Sequence, residues 1–160
     1  MYWIAVALHV LSAIFWLGGI LFVGVVGAPV LRTVESPTLR QQLFQQIGRR
    51  FRTAGWIAIG VLLVTGTFVL HTRGLLRADV LGNQDFWKTA TGIALAVKLV
   101  SVGVMLALSA AHDFVLGPRA GRLEAGSPEA VRLRRLAALM GRINGLMVIV
   151  LVAAAIRLAR

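Results

Sequence analysis

The 160-residue chain contains no cysteine. That absence excludes disulfides, thiolate metal sites and cysteine nucleophiles. Acidic residues are also scarce: 6 Asp and Glu stand against 17 Lys and Arg, a formal charge of +11. Charged residues make up only 14% of the chain, whereas a soluble domain carries roughly 25%. So small a fraction cannot cover a water-facing surface, which excludes an ordinary soluble enzyme and a disordered tail alike. No Gly-rich phosphate loop or nucleophile elbow occurs, and no carboxylate lies within the long apolar runs. Hydrolytic chemistry therefore lacks a nucleophile–base pair.

What the chain does have is apolar length. Hydrophobic residues reach 58% and the mean hydropathy is +0.83, the composition of a membrane protein. A spanning helix needs about 20 mostly apolar residues. Four runs meet that need, at about 4–26, 54–71, 91–112 and 136–158. No β-type alternation competes with them. The first run has no Lys or Arg before it and exceeds a signal-peptide core, so it reads as a retained helix. The sequence thus predicts one all-α integral membrane domain over 1–160, an antiparallel four-helix transmembrane bundle. It reads as free of internal repeats and low-complexity segments. Thr38–Phe44 looks like a short amphipathic interfacial helix, and Gly82–Asp85 like a turn. Ser127 and Pro128 form a helix-starting pair.

The basic excess has a use in orientation. The first and third connections, with Arg142, hold 11 basic residues; the opposite side holds 5, and Lys98 fits neither. Positive charge collects on the cytoplasmic side, so both termini are expected outside the cytoplasm of a bacterial-type inner membrane. The expected partner of the arginines is the lipid bilayer, not nucleic acid.

The polar residues inside the apolar runs point to a site. Lys98 lies about 10 Å into its helix at 1.5 Å per residue. A mid-span lysine costs about 2.5–3.5 kcal/mol on insertion scales, and something must offset that. Thr91, Lys98, Ser101, Met105, Ser109 and His112 fall on one helical face. His9 continues through Ser12, Trp16 and Gly19 on a face of the first span, at a depth like that of Lys98 and from the same side. The two are expected to face each other. His71 closes the second span, with Thr67 one turn deeper, and completes a descending series of His71, His9 and Lys98. His112, next to Asp113, lies about 21 Å from Lys98 along the helix, where it caps its helix or serves a second ligand. Arg142 and Asn144 fall near that level as partners for Asp113 or for a bound carboxylate.

These side chains offer imidazole, amine and thioether, donors suited to haem b or copper. His9, Lys98, His71 and Met105 are the candidate cofactor-binding residues, and His9 and His71 the candidate metal ligands. His112 and Arg142 are secondary candidates. Haem asks for fewer ligands than copper and edges ahead on donors alone. The bland alternative is a structural or assembly subunit, with no cofactor, whose buried polar groups set helix pairing.

At these residues the chain resembles a family. Leu8-His9-Val10 through Phe15-Trp16-Leu17-Gly18-Gly19 to Ala28-Pro29 looks like the first helix of the copper-resistance protein D (CopD) family. Arg50-Phe51-Arg52 followed by Gly66 resembles its second. Val97-Lys98-Leu99-Val100, then Met105-Leu106-Ala107-Leu108 and Gly117-Pro118-Arg119, is similar to its third. The resemblance implies an inner-membrane bundle concerned with copper handling, or with electron transfer through a bound metal or haem, with His9 and Lys98 as site residues. It implies a redox partner or a periplasmic copper protein, and leaves room for a homo-oligomer. HemJ-type protoporphyrinogen oxidases are a more distant likeness, pairing a first-helix His with a later Lys; that likeness implies an oxidase as the alternative.

Overall fold

In the computed structural model, which describes residues 1–124 and 127–159, each apolar run becomes one long helix. All four outrun the segments that predict them. α1 spans Tyr2–Arg32, α2 Pro37–Thr72, α3 Ala90–Arg122 and α4 Pro128–Ala159. No strand occurs among the described residues, and the all-α membrane bundle is as expected.

In α2 and α4 the extra length lies at the helix starts, and in α1 and α3 at the helix ends. Ser36 accepts a hydrogen bond from the Leu39 N–H at 3.3 Å, with Pro37 in the first turn. Ser127 does the same for Ala130 at 3.3 Å, and Thr89 for Gly92 at 3.0 Å. Each cap satisfies a donor that the first turn leaves orphaned. The stretch 38–44 is therefore not a separate interfacial helix. Nothing between Phe44 and Ala54 breaks the helix, so it forms the opening turns of α2.

α2 ends where Gly74 takes a φ of +71°, a conformation natural to glycine. The connection to α3 holds a short helical turn, Ala78–Leu81, and the turn expected at 82–85. In it Asn83 Oδ1 accepts from the Asp85 N–H at 2.9 Å. Trp87 donates through Nε1 to the Leu81 carbonyl at 3.0 Å and fastens this connection.

α1 and α3 both contain a π-helical stretch, at Val23–Gly27 and Ala111–Leu116. Pro29 and Pro118 follow closely. A proline supplies no N–H, and its ring collides with the carbonyl four residues back. The wider π turn relieves that collision.

α1 packs along α2, and α3 along α4; contacts between α1 and α4 and between α2 and the far end of α3 close the ring. The centre is small: Trp16, Ala58, Ile59, Met105 and Val148. Most of the remaining Leu, Ile, Val and Phe residues point outward. Lipid solvates such side chains as well as a protein interior does, so close packing rather than apolar burial joins these helices. Gly19 lies against the Phe51 ring with no room for a Cβ, and Gly55 lies beneath Trp16.

Candidate functional site

His9 is half-buried on α1, and its Nδ1 lies 2.9 Å from Thr65 Oγ1 on α2. Thr65 itself is buried, and its hydroxyl donates to the Val61 carbonyl at 2.6 Å. A hydroxyl carries one hydrogen. With that hydrogen spent on Val61, Thr65 can only accept from His9. The imidazole is then protonated at Nδ1, and Nε2 carries the lone pair. Gly66 makes room for the ring: a Cβ there would stand 3.1 Å from His9 Cε1.

His9 and Lys98 line the same cavity, of about 50 Å³. Gly66, Val69, Leu70, Arg73, Leu75 and Leu158 complete its wall. It therefore sits at the end of the bundle where both termini lie. Arg73 donates to the Leu158 carbonyl at 2.6 Å, tying α2 to the end of α4. The expected meeting of His9 and Lys98 is what the helices bring about.

Other candidates lie elsewhere. His71 is exposed and off the cavity wall, where Leu70 and Arg73 stand instead. Met105 is 1% exposed within the central cluster. His112 lies in the π-helical stretch of α3, its Nδ1 2.9 Å from Asp113 Oδ1. Trp56 Nε1 donates to Asp113 Oδ2 at 3.0 Å, and Arg52 to the Asp113 carbonyl at 3.0 Å. Asp113 is thus held by Trp56 and His112 rather than by Arg142, which is exposed. Asn144 donates to Ser109 at 3.3 Å instead. A larger cavity of about 390 Å³, lined by Thr38, Gln41, Gln42, Gln45, Gly121 and Glu124, holds none of the candidate residues.

Sequence reading missed Thr65 and pointed to Thr67, which is exposed. The missed signal is spatial: Thr65 follows Ala58 by seven residues and so shares its inward face, while Thr67 does not.

A model of the family described as copper resistance protein D matches residues 45–157. The chain belongs to the CopD family. It is a membrane protein of that family, with four helices long and apolar enough to span a bilayer. A protein of Aquifex aeolicus (strain VF5) described as uncharacterised is 43% identical over 60 residues, 37% of this chain. The match covers 41% of that relative, well under its full length. No solved structure matches.

Among the described residues no three His, Cys, Asp or Glu side chains gather as a metal cluster. The donors at the cavity are the one imidazole and the one amine. Haem, expected on donors alone, does not fit. A site for a molecule of that size takes about 300 Å³ or more, and the space between His9 and Lys98 is about 50 Å³. That volume suits a single ion or a few waters.

Proposed function

We propose that this CopD-family protein takes copper as its cargo, with His9 Nε2 as the nitrogen that receives it. The observation that carries the reading is the Thr65 hydroxyl, 2.6 Å from the Val61 carbonyl and 2.9 Å from His9 Nδ1: its one hydrogen goes to Val61, which makes Nδ1 the donor and leaves the Nε2 lone pair to an incoming ion. A hydrogen bond at the remote ring nitrogen also orients an imidazole ligand and raises its basicity. Imidazole suits copper, and Cu(II) accepts nitrogen-rich sites without thiolate.

The distribution of arginine supports an orientation with both termini outside the cytoplasm. The cavity then faces the outer side of a bacterial-type inner membrane, where a periplasmic copper protein would deliver the ion. His71, exposed near the same end, is on this reading an outer way-station rather than part of the site.

The test is copper accumulation in cells and in reconstituted vesicles. The wild type should move or retain copper above empty controls, and His9→Ala at equal expression should fall to the control level. Equal copper handling by His9→Ala would overturn the reading. A second reading, helix pairing alone, is favoured by the same His9–Thr65 bond, because it joins α1 to α2. Such bonds within membranes average about 0.6 kcal/mol. Under it His9→Ala lowers thermal stability and leaves copper handling unchanged.

A further inference from the structure

The two helical hairpins are built on one plan. His9 stands 20 residues before Pro29, and Lys98 stands 20 residues before Pro118. At the same offset of 89, Ile4 matches Ile93, Ala5 matches Ala94, Ser12 matches Ser101 and Leu17 matches Leu106. Each proline is preceded by a π-helical stretch, Val23–Gly27 or Ala111–Leu116. Each is followed by a Ser-Pro pair whose serine caps the next helix. In α2 and α4 the pattern continues at an offset of 90, Arg52-x-x-Gly55 against Arg142-x-x-Gly145. The offset thus moves from 89 in α1 and α3 to 91 at the capping serines Ser36 and Ser127 and to 90 within α2 and α4, which hides the repeat from a direct reading of the sequence.

Packing follows the same plan. Trp16 and Met105 are equivalent positions, as are Ala58 and Val148, and all four meet in the central cluster. Two hairpins of two helices each enter the bilayer in the same direction, so the axis relating them runs along the membrane normal. It passes through that cluster and relates α1 to α3 and α2 to α4.

His9 and Lys98 are thus one position in two copies, and both line the cavity between the copies. We infer that the site lies on this pseudo-two-fold axis and that Lys98, on giving one ammonium proton to water, becomes the second donor to the ion held by His9. The copies differ in support: Thr65 holds the imidazole, while its equivalent in α4 is Ala155, which offers no hydroxyl. One copy supplies an oriented imidazole and the other a flexible amine. This second-donor assignment rests on the copper reading; the axis does not.

The experiment places a second imidazole at the equivalent position. Cu(II) is titrated into purified wild type, Lys98→His, Lys98→Leu and the off-axis control Leu99→His. Lys98→His should bind copper more tightly than wild type, with two imidazole nitrogens in its electron paramagnetic resonance spectrum, one lost again on His9→Ala. Lys98→Leu, which offers no donor, should bind more weakly than wild type. No gain in Lys98→His over Leu99→His overturns the axial site. Copper binding by wild type that is unchanged or tighter in Lys98→Leu overturns the second-donor role and leaves His9 standing. A Lys98→His site that binds copper beside a wild type that does not would sustain the axis and overturn the donor role together with the copper reading. Should Lys98→His fold poorly, the cysteine-free chain permits His9→Cys with Lys98→Cys. Bridging of that pair by one Hg(II) per chain is expected, and bridging that fails, or is matched by His9→Cys with Leu99→Cys, overturns the axial site.

Discussion

Replacing Thr65 by valine keeps the shape of a buried side chain and removes only its hydroxyl. The Val61 carbonyl still has the backbone N–H of residue 65 as its helical partner, so no acceptor is orphaned there. What is lost is the acceptor for His9 Nδ1–H at 2.9 Å. As an interhelical bond within a membrane that contact is worth about 0.6 kcal/mol, and at most about 1.7. As the support of an imidazole ligand it is worth about 10–100-fold in metal affinity, or about 1.4–2.8 kcal/mol. Thr65→Val should therefore lower copper affinity well beyond its effect on stability, and Thr65→Ser should restore much of it. Competition with a colorimetric copper chelator measures the first quantity and thermal unfolding in detergent the second. Nitrogen NMR of labelled histidine should also show protonation spreading from Nδ1 to Nε2. Unchanged affinity with an unchanged tautomer would refute the argument that Thr65 prepares the ligand.

Gly66→Ala would set a methyl 3.1 Å from His9 Cε1, while Gly60→Ala meets open space. Chelator competition should find copper binding several-fold weaker in the first (less than the 10–100-fold of a lost supporting bond) and unaltered in the second. Gly19→Ala overpacks against Phe51 and should cost about 1–3 kcal/mol of stability. Its neighbour Gly18 is unobstructed, so Gly18→Ala should be neutral or slightly stabilising; thermal unfolding of the pair decides. Trp56→Phe removes the donor to Asp113 Oδ2 and should cost about 0.5–1.5 kcal/mol with no effect on copper affinity, since Trp56 is absent from the cavity wall.

Much of this was legible in the residues. Apolar runs of spanning length fixed the number of helices, and Ser127-Pro128 marked the true start of α4. The start of α2 was misread because the apolar run begins at about 54, whereas its polar opening turns depend on the cap at Ser36. The meeting of His9 and Lys98 followed from equal depth on two helices entering from one side. Thr65 stayed hidden because one threonine among apolar residues looks the same whether it faces lipid or a partner. Cavity size was beyond sequence as well, and it is what removes haem. The repeat escaped notice because the loop before α4 is longer than the one before α2, and because its most informative pair is a histidine matched to a lysine.

The central claim is that His9 Nε2 receives the ion. Electron paramagnetic resonance of Cu(II) bound to the purified protein tests it most directly. The account predicts one copper per chain with nitrogen hyperfine structure from a single imidazole, abolished in His9→Ala and retained in His71→Ala and His112→Ala. Imidazole coupling that survives His9→Ala would contradict it.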